Sequence, residues 1–315
     1  MKIRLVFILF FHLLLTFNSV AKCQENNRFI TKEKQFNASF SNKQEPLAKD
    51  LTSSIIKGKV IEKIVCAGNI NQSYSIYLPS YYNSEKKWPV LYCFDPSARG
   101  SIAVEQFKSA GEQYGYIIIG SNNSQNGPNI PINDIVKNMV KDSQTKFSID
   151  DTRVYAAGLS GGARIASLVA NASKGYIVGV IACSGGFPPN LKPSHSIPFI
   201  LFSTAGTEDF NFTELNQLHR TLDEFSIPNK LEIFEGGHTW APEELTIQAI
   251  EWLEIQAMRM GKKAKNDILI DQLLKKRLEK TKSDETNLAY FYYEYASLVA
   301  DFKGLRDISE FEKTL

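Results

Sequence analysis

A serine surrounded by glycines stands at position 160, between a strand-like run and a helix-forming run. The strand-like residues are Arg153–Ala157, the run Gly-Leu-Ser-Gly-Gly fills positions 158–162, and helix formers follow at once. This G-x-S-x-G pattern between a strand and a helix is typical of a strained turn that exposes a serine hydroxyl. The sequence therefore predicts Ser160 as a nucleophile, with a structural glycine-rich turn as the alternative.

Two backbone amides are predicted to stabilise the negative charge that such an attack creates on an acyl oxygen. The first belongs to Gly161, because the helix that begins there points its free N–H groups at the serine. The second lies in the loop Asp-Pro-Ser-Ala-Arg at 95–99, where Pro96 has no N–H to donate. We assign it to the backbone of Asp95, whose carboxylate must turn away from the developing charge.

Two further side chains are predicted to contact substrate. Arg99 closes the loop that holds Asp95, and its charge would steer an acidic acyl or leaving group, with a solvated arginine as the alternative. Trp240 lies in the loop Gly-Gly-His-Thr-Trp at 236–240 and is predicted as the second substrate contact.

A serine hydroxyl needs a base within hydrogen-bond reach, and the chain has only four histidines. His238 directly follows a strand-like run, as expected for a working residue at the carboxyl end of a parallel strand. His195 lies in a proline-rich loop before a strand, His219 is predicted to lie on the surface of a helix, and His12 belongs to the N-terminal apolar run. The sequence favours His238 as the base, with a structural loop histidine as the alternative.

The histidine in turn needs a carboxylate that orients its imidazole. The run Gly-Thr-Glu-Asp at 206–209 ends a strand-like segment and lies between the serine and the histidine in the chain. Asp209 is predicted as this carboxylate and Glu208 is the alternative. Either residue would also suit the N-terminus of the helix that follows.

Strand-like runs alternate regularly with helical runs between about residues 55 and 260, and these elements must position the residues named above. Strand-like runs separated by helical runs require right-handed crossovers, so the sequence predicts one α/β domain with a mostly parallel, doubly wound sheet. Eight strands are predicted, at Ile55–Val65, Ser73–Leu78, Pro89–Phe94, Tyr116–Gly120, Arg153–Ala157, Ile177–Cys183, Pro198–Ser203 and Lys230–Phe234.

Residues 261–315 are predicted to form a helical C-terminal extension, with helices at Ile268–Lys280 and Asn287–Phe302. It is either a cap on the core or a repeat-like appendage, and it offers a surface for a protein partner. The predicted apolar face of the second helix comprises Leu288, Phe291, Tyr292, Tyr295, Ala296 and Val299.

The N-terminus is typical of a secretory signal peptide. Lys2 and Arg4 precede an apolar run that ends near Ser-Val-Ala at 19–21, so residues 1–21 are predicted to be removed and residues 22–54 to form a flexible leader. We therefore expect a secreted or periplasmic protein. An uncleaved membrane anchor is the alternative, and Lys22 disfavours a lipid anchor on Cys23 because lipid attachment requires a small residue at that position.

Charge balance and residue spacing argue against nucleic acid, metal ions and cofactors as partners. The chain carries 36 Lys and Arg against 34 Asp and Glu, a balance that does not suit binding to nucleic acid. No His-x-x-x-His or paired-cysteine spacing predicts a metal, and no cofactor is expected.

The chain resembles the α/β-hydrolase superfamily in its strand order and in three motifs. These motifs are Gly-Leu-Ser-Gly-Gly, Gly-Thr-Glu-Asp and Gly-Gly-His-Thr-Trp. Over residues 55–260 the chain is most similar to secreted esterases of the polyhydroxybutyrate-depolymerase, feruloyl-esterase and dienelactone-hydrolase-like group. The resemblance implies Ser160, Asp209 and His238 as a catalytic triad. The chain departs from those esterases in carrying Phe94-Asp95 where they usually have His-Gly, and a dienelactone hydrolase would have cysteine at 160.

The expected function is therefore hydrolysis of carboxylic esters, on a small molecule or attached to a polysaccharide, through an acyl-enzyme on Ser160. A serine peptidase would use the same residues. A hydrolase fold that only binds a ligand, or an interaction protein led by residues 263–315, is the alternative from outside the enzymes.

Overall fold

The computed structural model describes residues 56–283 and 288–313, all of which belong to one compact unit. The predicted signal peptide (1–21), Cys23 and the leader (22–54) lie outside the described residues. The strands are β1 (Val60–Cys66), β2 (Asn69–Tyr77), β3 (Trp88–Phe94), β4 (Ile117–Ser121), β5 (Ile149–Leu159), β6 (Ile177–Cys183), β7 (Ile200–Gly206) and β8 (Asn229–Phe234).

Helices alternate with these strands and then continue beyond the sheet. They are α1 (Gly100–Tyr114), α2 (Ile132–Lys146), α3 (Gly161–Ala172), α4 (Phe212–Glu224), α5 (Glu243–Arg259), α6 (Asp267–Ser283), α7 (Leu288–Phe302) and the short α8 (Ser309–Glu312). Among the described residues, no helix combines the length and the apolar character that crossing a membrane requires.

The eight strands form one sheet in the order β1-β2-β4-β3-β5-β6-β7-β8. Strand β2 pairs antiparallel with β1 and with β4, and every other neighbouring pair is parallel. The mostly parallel, doubly wound sheet predicted from the sequence is confirmed. The strand order reverses beside β3, so the loops after β3 and β5 leave the sheet side by side, where such folds place their working residues.

The central strands are apolar throughout because helices cover both faces of the sheet. Every residue of β3, β6 and β7 is buried. Helices α1 and α5 share one core with alternate residues of the strands, including Phe107, Leu253 and Phe202. The other residues of each strand point to the opposite face of the sheet, which α2, α3 and α4 cover. The sheet is therefore a rigid platform whose carboxyl edge holds the loops described below.

The C-terminal helices pack on this platform. Helices α6 and α7 form a second apolar core with the end of α5, built around Ile255, Met258, Ile270, Leu298 and Phe302. This packing favours the cap over the repeat-like appendage.

The apolar face predicted for α7 was partly wrong. Tyr295 and Val299 are buried as expected, but Leu288 and Tyr292 are exposed, and Leu298 and Phe302 take their places. The reason is an ion pair that sequence periodicity does not reveal: Glu294 of α7 is buried and faces Lys230 of β8 at 3.1 Å.

Lys230 is the centre of a buried charged cluster that joins the sheet to the extension. Its ammonium group also lies 2.9 Å from Glu232, and Lys280 of α6 contacts the same carboxylate at 3.2 Å. Burial opposes ionisation of Glu232, yet Lys230 and Lys280 hold the pKa of that carboxyl below its ordinary value. The Glu232 carboxyl is therefore ionised at neutral pH.

Lys230→Met is expected to destabilise the protein by about 3–5 kcal/mol, because it leaves the buried Glu232 and Glu294 without their shared cation. Urea unfolding measures this change. Lys275→Met is the matched control: its pair with Glu279 is exposed and 3.9 Å apart, so the change should be within about 0.5 kcal/mol. Equal effects of the two substitutions would contradict the role given to the cluster.

Candidate active site

Ser160 occupies the sharp turn between β5 and α3. Its backbone has φ 54° and ψ −117°, a conformation that a non-glycine residue rarely adopts. The turn is held because the Ser160 N–H donates to the Cys183 carbonyl oxygen at 2.8 Å, beyond the end of the adjacent β6 ladder. Such strain persists only where the surrounding structure enforces it, and it exposes the serine side chain above the carboxyl edge of the sheet.

The loop after β3 packs directly against this turn. A Cβ atom added to Gly162 would lie 2.0 Å from the Phe94 carbonyl oxygen and 3.4 Å from the Asp95 nitrogen. Only glycine permits this approach. The approach brings the Asp95 amide close to the start of α3, where the Gly161 N–H has no acceptor within its helix. The structure thus brings together the two backbone donors predicted from the sequence.

The Asp95 carboxylate turns away from these donors, as the predicted backbone role requires. It is buried and accepts hydrogen bonds from Arg99 Nε at 2.8 Å, Arg99 Nη2 at 2.9 Å and the Ser97 N–H at 2.8 Å. Although burial opposes ionisation, the hydrogen bonds from Arg99 and Ser97 lower the pKa of Asp95 below its ordinary value. The carboxylate therefore stabilises the shape of its own loop.

Arg99 and Trp240 have partners in the protein that the sequence did not reveal. The Arg99 guanidinium is committed to Asp95, although about half of the side chain (49 %) stays exposed. Trp240 is only 8 % exposed, packs edge-on against Phe107 and directs its indole N–H at Asp95 over 3.4 Å. A ring buried in this core has little surface for a substrate, so the contact predicted for Trp240 loses its support.

His238 and Asp209 meet across the loops that follow β8 and β7. The Asp209 carboxylate accepts a hydrogen bond from His238 Nδ1 at 2.9 Å and another from the Asn211 N–H at 2.8 Å. Burial opposes ionisation of Asp209, but the hydrogen bonds from the Asn211 N–H and from His238 lower its pKa. An ionised carboxylate at Nδ1 fixes the tautomer that leaves His238 Nε2 free to accept a proton.

Glu208 does not share this position. Its side chain is exposed, and among the described residues no hydrogen bond joins it to His238. Of the two acids left open by the sequence, the structure brings Asp209 to His238.

The loop after β6 connects the serine turn with the histidine pair. Ser184 is buried, and its hydroxyl donates to the Thr239 carbonyl oxygen at 2.9 Å. Next to it, a Cβ atom on Gly185 would lie 2.6 Å from the Ser160 carbonyl oxygen. Ser160, Asp209 and His238 therefore surround one short loop at the carboxyl edge of the sheet.

The other described histidines lie apart from this group. His195 is exposed and packs edge-on against Phe225. His219 was predicted to lie on the surface, but it is buried and bonded through Nδ1 to Asn229, and burial lowers its pKa to about 4. His219 lies against the first residue of β8, a contact that helical periodicity alone does not show.

Phe210 is a site residue that the sequence reasoning missed. Its ring stacks on the His238 imidazole, with centroids 4.0 Å apart and planes 25° from parallel, while 76 % of the residue remains exposed. The exposed ring offers an apolar, planar surface beside the histidine. The available signal was an aromatic residue directly after the predicted acid.

Within residues 56–283 and 288–313, no cluster of three or more His, Cys, Asp or Glu side chains is arranged to hold a metal ion. The groups gathered at the sheet edge are instead those of covalent acyl transfer: a strained serine, an oriented histidine and converging amide donors.

No protein-family model matches the sequence, and no curated protein matches it either. Solved structures do. A ferulic acid esterase is 17 % identical, with a TM-score of 0.51, and the match covers 62 % of this chain and 96 % of that protein. A truncated carbohydrate esterase from gut microbiota is 14 % identical, with a TM-score of 0.51, over 68 % of this chain and all (100 %) of that protein. With the sheet order and the serine turn, these likenesses show that the chain has the α/β-hydrolase fold.

Proposed function

We propose that this protein is a serine hydrolase that cleaves carboxylic esters through an acyl-enzyme on Ser160. The observation that carries the proposal is the hydrogen bond between His238 Nδ1 and Asp209, at the same sheet edge as a serine in a strained turn. An oriented histidine and a partly exposed serine make up the machinery of nucleophilic acyl transfer.

In the proposed reaction, His238 Nε2 takes the Ser160 proton as the hydroxyl oxygen bonds to the acyl carbon. The carbonyl electron pair moves onto oxygen, where the Gly161 and Asp95 amides stabilise it. As the tetrahedral intermediate collapses, the imidazolium returns its proton to the departing alcohol. Water then repeats the sequence on the acyl-enzyme and releases the acid.

Phe210 bears on the class of substrate. Because His238 protonates the leaving group, a ring stacked on its imidazole lies beside the alcohol portion of an ester. We propose that this portion is apolar or planar, since it would cover an exposed aromatic surface. Two proteins of the same fold are named esterases, which makes esters the first class to test.

The N-terminal sequence is the basis for proposing where the protein acts. We propose export and removal of residues 1–21, with the enzyme acting outside the cytoplasm.

The test measures the hydrolysis of p-nitrophenyl esters against p-nitroanilides of the same acyl groups, together with fluorophosphonate labelling mapped by peptide mass. We expect ester hydrolysis, faster for benzyl than for methyl esters of one acyl group because the two alcohols are similar leaving groups, and a label on Ser160. Faster cleavage of the anilides would favour a peptidase. Neither hydrolysis nor labelling would indicate a binding protein built on this fold.

A further inference from the structure

The residue after the nucleophile is glycine, and the G-x-S-x-G pattern itself does not require glycine there. The structure supplies the reason: a Cβ atom on Gly161 would lie 1.8 Å from Oδ1 and 2.8 Å from Nδ2 of Asn126. The carboxamide of Asn126 thus occupies the space that a side chain at position 161 would fill.

Asn126 reaches this position on the loop between β4 and α2, which is attached to the loop that holds Asp95. The Asn126 N–H donates to the Pro96 carbonyl oxygen at 2.8 Å, and Gln125 forms an antiparallel bridge with Ser97. These contacts hold the backbone of residue 126 against the loop of Asp95.

The neighbouring asparagines of this loop use their carboxamides to hold it in place. Asn122 Nδ2 donates to the Glu62 carbonyl oxygen at 2.9 Å, and Asn123 Oδ1 accepts the Ser73 N–H at 2.8 Å. The Asn126 carboxamide is exposed and has no hydrogen-bond partner among the described residues. The carboxamide is therefore available to bond a ligand.

A ligand bound at the Gly161 amide would come within reach of that group. A Cβ atom lies about 2.5 Å from the nitrogen of its own residue, so the Asn126 carboxamide borders the space next to the Gly161 N–H. This is where the proposed function places the oxygen of the tetrahedral intermediate.

We propose that Asn126 Nδ2 donates a third hydrogen bond to the oxyanion, beside the backbone amides of Gly161 and Asp95. This inference rests on the proposed function. As Ser160 Oγ bonds to the acyl carbon, the carbonyl π electrons move onto the oxygen, and the amide group strengthens its bond as that charge grows. Collapse of the intermediate returns the electrons to the carbonyl and expels the alcohol.

The test separates kcat from KM for one p-nitrophenyl ester. Removal of an oxyanion donor typically lowers kcat by 10²–10³-fold; for this exposed group we expect Asn126→Ala to lower kcat by about 10–100-fold and to change KM less than about threefold. Asn126→Asp should lower kcat further, because a carboxylate there repels the developing charge. Gln125→Ala, in the same loop, should leave kcat within about twofold of wild type.

Urea midpoints of all variants are measured alongside, and we expect them to match wild type.

Three results would overturn the inference: kcat of Asn126→Ala within twofold of wild type, an effect confined to KM, or equal kcat for wild type and Asn126→Asp. In each case wild-type hydrolysis and labelling of Ser160 would leave the proposed function standing. Absence of both in the wild type would remove the proposed function and this inference together.

Discussion

Asp209→Asn is expected to lower kcat by about 10⁴-fold with little change in KM. The carboxylate accepts the Nδ1 proton of His238 at 2.9 Å, and its side chain is fully buried (0 % exposed). An asparagine of the same shape can present its NH₂ group to Nδ1, which selects the opposite tautomer. Nε2 then carries a proton and cannot accept one from Ser160. Rates of ester hydrolysis over a range of substrate concentrations give kcat and KM.

Glu208→Gln is the matched control, because it removes the adjacent carboxylate, which is exposed and does not contact His238. Its kcat should stay within about twofold of wild type. A large loss of kcat in Glu208→Gln with a small loss in Asp209→Asn would instead make Glu208 the carboxylate that orients His238. Because the pKa of Asp209 is lowered in the folded protein, its ionised form also contributes stability that is present at neutral pH and lost on acidification through that pKa.

Ser160→Ala is expected to lower kcat by about 10⁴-fold or more and to abolish fluorophosphonate labelling. The hydroxyl oxygen is the atom that bonds to the acyl carbon, and no other group in the proposed mechanism replaces it. Residual turnover would come from the amide donors and from substrate binding alone. Unfolding in urea should be nearly unchanged, since alanine and serine meet the same backbone strain at φ 54°.

Ser184→Ala provides the comparison for labelling. Ser184 also follows a strand, also has a positive φ of 53°, and lies at the same sheet edge, but its hydroxyl is buried against the Thr239 carbonyl oxygen. The variant should still take up the probe at position 160. Loss of labelling in Ser184→Ala with retention in Ser160→Ala would place the nucleophile at 184.

The fold was predictable because its signals are local. Each central strand is buried on both faces and so appears as an unbroken apolar run, and each helix has its own periodicity. Strand β6 was predicted with its observed bounds, Ile177–Cys183. Strand β5 begins at Ile149, earlier than the predicted Arg153, because the polar residues 150–152 interrupt its apolar run where the register with β3 shifts.

The candidate residues were also largely visible in the sequence. A nucleophile turn needs glycines within two positions of the serine, and the base and the acid must follow strands. Local spacing therefore brought Ser160, His238 and the pair Glu208 and Asp209 into consideration. Chain order and strand ends are properties of the sequence, so no tertiary contact was needed to find them.

Tertiary structure decided what depends on contacts between distant segments. It placed Asp209 rather than Glu208 at the histidine, buried Trp240 in the core and rotated α7 so that Glu294 faces Lys230. It also brought Phe210 onto His238 and Asn126 against Gly161. Local spacing determines which residues reach the carboxyl edge of the sheet. The packing of separate loops determines which atoms are in contact there, because each contact depends on the conformations of several loops.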